Sequence, residues 1–262
     1  MNTEKIIKQQ ARDALHGNMS KLIFAAGFAA LTMLTLEYLE YLAALFTGVA
    51  DKEFDSVLDP MFIPYLAVSL LFTAAVLFAS PLINGFLRMA AFTALEKDCD
   101  STQVFRYFRD ARLYFKTVLI NLALYLMVSV PASLLDVGRY LRLAFPDIFD
   151  AGAGFTAERL LTVLTGLVSG LIGVLCYLLF AHYPLMRYAL DDSISAADCV
   201  FLKTGFSFRH FGQALRLALS FAGWFALCFF VVPALYVLPY FAVASANSTR
   251  WLLEAQRNGG EL

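Results

Sequence analysis

Two glutamates one helical turn apart lie inside the first long apolar stretch of the chain. Glu37 and Glu40 stand three positions apart, a spacing that places both carboxylates on one face of a helix. Carboxylates within a membrane are costly, and they are typical of proton relays and cation-binding sites. Glu37 and Glu40 are therefore the main candidates for an intramembrane polar site in this sequence.

Two other placements explain these glutamates without any chemistry. If the first helix sits lower in the membrane, both carboxylates reach the headgroups, and Tyr38 and Tyr41 form an aromatic belt. Alternatively, Arg139 or Arg142, which follow a later apolar stretch, neutralise the two carboxylates. A polar cavity that reaches Glu37 would favour transport, whereas a closed helix bundle would favour a binding function.

The composition indicates a protein that lies in a membrane. Of the 262 residues, 60% are hydrophobic and 16% are charged, and the mean hydropathy is +0.68. Soluble domains carry about 25% charged residues. A crossing helix needs about 20 apolar residues, and the sequence predicts an all-α polytopic bundle of about six such helices in one membrane domain, 1–262. Their predicted ranges are 22–46, 61–84, 117–135, 160–179, 213–232 and 238–253.

The last apolar stretch is too long for one crossing. We expect a short turn between Val232 and Leu238, because Pro233 and Pro239 lie on either side of it and proline breaks or starts helices. One long kinked span, which would give five spans in all, is the alternative. The distribution of positive charge then orients the chain. The predicted outer loops hold only four of the 20 Lys and Arg residues, namely Lys52, Arg139, Arg142 and Arg159. The positive-inside rule therefore predicts a multi-pass protein of the plasma membrane with both termini cytoplasmic.

An internal repeat relates three parts of the chain. A shift of 103 residues aligns Pro81 with Pro184 and Phe105 with Phe208. Each unit would consist of a cytosolic amphipathic helix at the membrane interface, followed by a membrane hairpin. The repeat is parallel, unlike the inverted repeats of many transporters. The predicted units are about 1–80, 81–183 and 184–262.

The second of these amphipathic helices, predicted over 104–116, alternates aromatic and basic side chains. Aromatic bodies can lie at the acyl boundary while the cations contact anionic headgroups. We therefore expect this helix to bind membrane lipids or a protein partner, and not nucleic acid. The residues of this candidate surface are Phe105, Arg106, Phe108, Arg109, Arg112 and Lys116.

Other polar and small residues favour structural roles. The small residues Gly166, Ser169, Gly170 and Gly173 form a stripe that predicts close helix packing, within the chain or in a homo-oligomer. Asn84 and Asn121 are expected to hydrogen-bond neighbouring helices.

Asp191 and Asp192 could bind a metal or act as acid and base. The sequence that follows them favours a helix N-cap instead. The four cysteines and three histidines form no ligand cluster. The sequence predicts no metal, no cofactor and no catalytic residue, and hence no enzyme.

The chain resembles the bacterial integral membrane proteins of the domain of unknown function 975 family. The matching stretches are Leu15-His16-Gly17-Asn18 after Ala11, Pro81 with Gly85, Phe105 with Phe108, Ser220-Phe221-Ala222-Gly223-Trp224 with Leu227, and Pro239-Tyr240. The family usually continues to a Phe-Tyr pair, and Ser248-Thr249 stand there in this chain, which is typical of a divergent member. The resemblance implies a six-span protein of the bacterial inner membrane and transfers no catalytic residue. Trp224 is expected to be a packing anchor.

Three functions follow in order. The first is a non-enzymatic membrane component that binds lipid or a protein partner through its cytosolic helices. The second is a small transporter or lipid translocator that uses Glu37 and Glu40. The third is a membrane enzyme with Asp191 and Asp192 at the boundary, acting on a lipid or a glycerophosphodiester, as in proteins of similar layout that accompany some phosphodiesterases.

Overall fold

The computed structural model describes residues 3–49, 59–97, 99–135, 156–228 and 231–258. Every regular element within these ranges is helical, which confirms the predicted all-α class for this part of the chain. In chain order the elements are α1 (Thr3–Leu15), α2 (Met19–Phe46), α3 (Phe62–Ala79), α4 (Pro81–Ala94), a 3₁₀ helix (Ser101–Phe108), α5 (Ala111–Leu134), α6 (Thr156–Phe180), α7 (His182–Leu190), a π-helix (Asp198–Leu202), α8 (Lys203–Ser220), α9 (Ala222–Leu227) and α10 (Val231–Arg257).

Four helical stretches of the described residues are long and apolar enough to cross a membrane by length and composition. They are Met19–Phe46, Phe62–Ala94, Ala111–Leu134 and Val163–Phe180. These stretches indicate a membrane protein. The predicted outer loops with Lys52, Arg139 and Arg142 lie outside the described residues.

The four long helices form two hairpins, in which α2 packs on α3 and α5 packs on α6. The buried residues of α2 all lie between Leu22 and Ala29, in its first half, and those of α5 lie between Thr117 and Leu124. Helix α3 has no buried residue. Much of the remaining hairpin surface consists of large apolar side chains that are exposed, as expected for helices that contact lipid.

A second layer of helices, which we term the packed layer, covers one end of the hairpins. It consists of α1, α4, the 3₁₀ helix, α7 and α10, and it contains most of the main hydrophobic core. Gly85 allows α4 to approach the 3₁₀ helix closely, since a Cβ at this position would lie 2.0 Å from the carbonyl oxygen of Val104. The apolar stripe of α1, which includes Ile7, Ala11 and Leu15, is buried in this core.

Both hairpins join the packed layer through a helix break. Helix α3 ends before Ser80 and α4 starts at Pro81, while α6 ends before Ala181 and α7 has Pro184 in its first turn. The first turn of a helix has N–H groups without intrahelical partners, so proline is tolerated there. The breaks occur where the predicted repeat aligns Pro81 with Pro184, although the repeat itself stays a prediction.

The predicted geometry of the last stretch is wrong. Helix α10 runs without interruption through the turn expected between Val232 and Leu238. Pro233 lies in its first turn, where no intrahelical hydrogen bond is lost. Pro239 lies inside the helix and is buried in the packed layer. The predicted span 213–232 is interrupted at Phe221, between α8 and the six-residue helix α9.

The predicted surface helices also differ from the structure. The stretch 104–116 is not one helix, because Asp110 accepts a hydrogen bond from the backbone N–H of Arg112 at 2.9 Å and starts α5 there. Within this stretch, Val104 and Tyr107 are fully buried. The first surface helix, α1, turns its apolar stripe toward protein rather than toward the surroundings.

Candidate functional site

Glu37 and Glu40 line a cavity of about 460 Å³ between the two hairpins. Both side chains project from the second half of α2, away from the packed layer. Helices α3, α5 and α6 supply the other walls. The lining residues from these helices include Thr73, Val76, Leu77, Leu122, Leu124, Tyr125, Val128 and Tyr177.

The end of the cavity nearest the packed layer carries a chain of polar side chains. Asn84 Nδ2 donates to Asn121 Oδ1 at 3.0 Å, and Asn121 Nδ2 donates to Ser80 Oγ at 2.6 Å. Ser80 Oγ in turn donates to the carbonyl oxygen of Leu77 at 2.6 Å. The prediction that Asn84 and Asn121 hydrogen-bond neighbouring helices is therefore confirmed. They join α4 to α5, and we refer to Ser80, Asn84 and Asn121 as the amide cluster.

The helix break after α3 places the amide cluster in the cavity. Ser80 is the residue at the break, and Asn84 follows one turn into α4, where it is buried. Asn121 lies on α5, about 10 Å along the helix axis from Val128, which lines the same cavity further from the packed layer. The cavity therefore has two polar ends with an apolar wall between them.

The cavity is open to the surroundings on one side. Glu37 and Tyr125 both line it and are exposed, and Leu122 lies at its edge. In a membrane this opening would face lipid, so a molecule could occupy the cavity while part of it stays among the acyl chains. The described residues of the two hairpins therefore leave a cavity that reaches Glu37.

Among the described residues, neither Glu37 nor Glu40 has a hydrogen-bond or ion-pair partner. The alternative partners Arg139 and Arg142 lie outside the described residues. Tyr38 and Tyr41 are both exposed, as an aromatic belt requires. The placement of the carboxylates at headgroup depth thus stays an alternative.

The six residues of the candidate lipid-binding surface do not share one role. Phe105, Phe108, Arg109 and Arg112 are exposed. Arg106 Nε lies 3.5 Å from Asp192 Oδ2 instead, and Lys116 Nζ donates to the backbone oxygen of Asp192 at 2.8 Å. Arg106 and Lys116 therefore make contacts within the protein instead of facing the surroundings.

Asp192 is the centre of an ion-pair cluster that the sequence did not reveal. Its Oδ2 lies 2.9 Å from Arg88 Nη1, and the side chain of Arg88 is only 11% exposed. Beside this pair, the rings of Tyr107 and Tyr188 stack with centroids 5.5 Å apart. The carboxylate of Asp192 therefore pairs with two arginines, one from α4 and one from the 3₁₀ helix.

The predicted N-cap is also misplaced. Asp191 accepts hydrogen bonds from the backbone N–H of Ser193 at 3.1 Å and from the Ser193 hydroxyl at 2.6 Å. The hydrogen bond from the Ser193 hydroxyl lowers the pKa of Asp191 most, and the bond from the Ser193 N–H lowers it further. The next helix is capped by Ser195, whose Oγ accepts from the N–H of Asp198 at 3.1 Å. A serine three residues before an acidic residue was the signal for this cap.

Among the described residues, the glycines of the small-residue stripe on α6 have open space beside them. A Cβ at Gly166, Gly170 or Gly173 would meet no atom within 4 Å. Whether the stripe that includes Ser169 packs within the chain or in a homo-oligomer stays open. The glycine that permits close packing is Gly85 on α4.

Trp224 is a weaker anchor than the sequence indicates. Its side chain is 40% exposed, and its ring centroid lies 6.1 Å from that of Tyr236. The buried anchor of this region is its neighbour Phe221, whose ring centroid lies 4.9 Å from that of Tyr240. Lys8 Nζ lies over the Phe221 ring, 4.3 Å from its centroid.

No group of three or more His, Cys, Asp or Glu residues that could hold a metal ion occurs in the described part of the chain. No family model, no curated protein and no solved structure matches this chain. The resemblance to the domain of unknown function 975 family therefore stays a prediction, and the function has to be argued from the cavity.

Proposed function

We propose that this protein is a small membrane transporter or lipid translocator that binds a cationic, amphipathic molecule in the cavity between its two hairpins. The observation that carries the proposal is the cavity itself. It joins Glu37 and Glu40 at one end to the amide cluster at the other, with apolar walls between them.

The two carboxylates give the cavity its preference for positive charge. An ionised carboxylate in a membrane is costly unless a cation or a proton neutralises it. Glu37 and Glu40 lack a described partner, so a bound ammonium group would supply the missing charge. Carboxylates and amide oxygens both accept hydrogen bonds from an ammonium group, whereas neither repels it.

The apolar wall and the lateral opening determine the rest of the ligand. Leu122 and Tyr125 form the edge that faces lipid. An acyl chain can stay outside this edge while the polar headgroup passes from the amide cluster to the carboxylates. An amine-bearing lipid or a similar organic cation satisfies all of these surfaces.

The orientation that we propose puts the packed layer on the cytoplasmic side of the bacterial inner membrane. This layer and its border carry Lys8, Arg88, Arg106 and Lys116, as the positive-inside rule requires. Both termini are then cytoplasmic. The six-span count and the three parallel units are part of this proposal. The end of α8 together with α9, and then the start of α10, would supply the last two spans, because α9 alone has only six residues and is too short to cross a membrane.

A flip assay on reconstituted protein tests the transport proposal. Liposomes that contain phosphatidylethanolamine with a fluorescent label on its acyl chain are quenched from outside with dithionite. We expect the protein to accelerate loss of the inner-leaflet signal, and we expect the double variant Glu37→Gln, Glu40→Gln to lower that rate at least tenfold. The control is the double variant Glu4→Gln, Glu96→Gln, which removes two carboxylates outside the cavity.

The same experiment separates transport from its competitors. If the cavity variant and the control variant flip lipid at the same rate as the unaltered protein, the carboxylates do not act in transport. Equal flip rates for the three proteins are also expected if both carboxylates lie at the depth of the lipid headgroups. Loss of activity in both variants would indicate a general effect of charge rather than a site.

A second candidate function rests on the exposed part of the aromatic–basic surface. Phe105, Phe108, Arg109 and Arg112 still offer a site for anionic headgroups or for a protein partner. The variant Arg109→Glu, Arg112→Glu should lose phosphatidylglycerol from nanodiscs, as measured by native mass spectrometry, while Lys5→Glu, Lys97→Glu retains it. Arg106 is left intact because its reversal would break the contact with Asp192. Equal lipid retention by the two variants would remove this candidate. The membrane-enzyme alternative has no comparable support.

A further inference from the structure

A second cavity lies in and beside the packed layer, between α7, α8 and α10. Its volume is about 290 Å³, and it is separate from the cavity between the hairpins. Two arginines line it, Arg187 from the last turn of α7 and Arg209 from α8. The other lining residues include Tyr183, Phe206, Thr249 and Gln256.

The two arginines have no acidic partner within the cavity itself. No Asp or Glu occurs among the residues that line it. Arg187 Nε is buried and has no hydrogen-bond acceptor in the described part of the protein. A buried guanidinium N–H without an acceptor is unfavourable, because the group has lost its water. Asp191, which directly follows α7, attracts Arg187 electrostatically, but its carboxylate accepts its hydrogen bonds from Ser193 rather than from Arg187.

Two hydroxyl groups in the cavity wall already donate their hydrogen bonds to backbone carbonyls, so they are not available as donors to a ligand. The Thr249 hydroxyl donates to the carbonyl oxygen of Ser245 at 2.8 Å, and the Tyr183 hydroxyl donates to that of His210 at 3.4 Å. Among the described residues that line the cavity, the side-chain N–H groups still available to a ligand are those of Arg187, Arg209 and Gln256. Guanidinium groups bind phosphate oxygens in pairs, which makes two arginines well suited to one phosphate group.

We propose that this cavity is a binding site for a phosphate group, held by Arg187 and Arg209. The volume lies at the lower end for small-molecule sites and suits a phosphate with a short polar substituent. Arg187 also lines an adjacent groove of about 580 Å³, where Asp191 and Glu254 accompany Arg250 and Arg257, so the groove is of mixed charge and the phosphate site is confined to the smaller cavity. The phosphate belongs either to a soluble phosphorylated compound or to a phospholipid headgroup.

Titration calorimetry of the full-length protein in detergent tests the site with inorganic phosphate as the probe. The comparison uses Arg209→Gln and Arg216→Gln, since both arginines are exposed on α8 and only Arg209 lines the cavity. We expect Arg209→Gln to weaken phosphate binding at least tenfold and Arg216→Gln to leave it within twofold. Arg187→Gln should weaken it further, and the Arg209→Gln result stands even if Arg187→Gln does not fold.

A second arm distinguishes the source of the phosphate. The melting temperature is measured in nanodiscs of phosphatidylcholine with and without phosphatidic acid. A rise that phosphatidic acid causes in the unaltered protein and in Arg216→Gln, but not in Arg209→Gln, supports a lipid headgroup. Binding of inorganic phosphate without this rise supports a soluble compound. Equal responses of the two variants in both arms, or no response of the unaltered protein to either probe, would overturn the proposal.

Discussion

Helices α3 and α4 follow one another along a single apolar stretch, yet their surroundings are opposite. Helix α3 has 18 residues, none of them buried. Helix α4 has 14 residues, and ten of them, from Pro81 to Ala94, are buried. Only Ser80 stands between the two helices, and the whole stretch Phe62–Ala94 is apolar enough to cross a membrane. Helix α4 is less apolar than α3, since it contains Asn84 and Arg88, yet both helices belong to one stretch that is apolar enough to contain a membrane span.

Side-chain size accounts for part of the difference between the two helices. Helix α3 presents large residues such as Leu70, Leu71 and Phe78, which are exposed and suit lipid. Helix α4 contains Gly85, Ala90 and other small residues, which allow neighbouring backbones to approach. The contrast teaches that bulk on an apolar helix indicates lipid contact, whereas small residues indicate contact with protein.

The largest expected effect comes from adding one methyl group to the packed layer. In Gly85→Ala the new Cβ overlaps the carbonyl oxygen of Val104, and backbone atoms have little freedom to move. Overpacking of this kind costs about 3 kcal/mol or more. We expect little monodisperse protein by size-exclusion chromatography and a melting temperature lowered by several degrees.

The control for this change is Gly170→Ala on α6. A Cβ at Gly170 meets no atom of the chain within 4 Å, and alanine favours helix by about 1 kcal/mol over glycine. The melting temperature should therefore stay the same or rise. If Gly85→Ala is as stable as Gly170→Ala, α4 does not approach the 3₁₀ helix as closely as described. A fall for Gly170→Ala would instead indicate a close contact with a second chain.

The second effect compares one leucine in each environment. Leu252 on α10 is fully buried, whereas Leu71 on α3 is 66% exposed. Leu252→Ala should lower the free energy of unfolding by about 2–5 kcal/mol, because it leaves a cavity in the core. Leu71→Ala should change it by less than about 1 kcal/mol, since lipid or detergent fills the space. Chemical unfolding in mixed detergent micelles measures both, and equal losses would contradict the division into two environments.

The third effect is a dependence of stability on pH. His182 is buried among aromatic rings at the start of α7, and neither ring nitrogen has a partner in the described part of the chain. Burial lowers the pKa of His182 to about 4. The unfolded chain binds a proton near pH 6.5, so it is favoured over the folded chain as the pH falls below that value. Stability is fully present above about pH 6.5 and is lost toward pH 4.

The variant His182→Leu removes this titration while keeping a similar volume. Between about pH 7 and pH 5 the unaltered protein should lose about 2 kcal/mol more than the variant. Thermal unfolding at the two pH values gives the comparison, with Leu71→Ala as a variant that keeps the titration. Parallel pH profiles for the unaltered protein and His182→Leu would show that His182 is not buried as a neutral group.

The sequence predicted those parts of the fold that depend on local hydropathy. The predicted ranges 22–46 and 117–135 lie close to α2 and α5, because a long apolar run is visible without tertiary information. Glu37 and Glu40 were identified for the same reason, as charges that interrupt such a run. That both line one cavity with the amide cluster depends on how two hairpins pack, and no single stretch of sequence contains that information.

The packed layer was harder to predict. Helix α1 was expected at the lipid interface because it is amphipathic. Amphipathicity does not say whether lipid or protein covers the apolar face of a helix. Likewise, Pro239 indicated a break that the packing around α10 suppresses. The contact between Arg88 and Asp192 joins residues far apart in the sequence, so each of them looked like a separate surface charge.

The smallest effect separates two arginines that contact the same carboxylate. Arg88 lies at 2.9 Å from Asp192 Oδ2 and is 11% exposed, whereas Arg106 lies at 3.5 Å and is 42% exposed. Arg88→Gln should lower the free energy of unfolding by about 1–2 kcal/mol, less than a fully buried pair would lose because Asp192 keeps Arg106. Arg106→Gln should cost less than about 1 kcal/mol, since water screens the exposed pair.

The two variants combined with Asp192→Asn complete a double-mutant cycle, measured as melting temperatures in detergent. Coupling should be larger for Arg88 than for Arg106, because low exposure strengthens the attraction between charges. Salt sharpens the comparison. Raising the ionic strength should weaken the coupling of Arg106 with Asp192 and leave that of Arg88 nearly unchanged. The reverse order would mean that Arg106 is the buried partner, and that the aromatic–basic surface continues into the packed layer rather than ending at its edge.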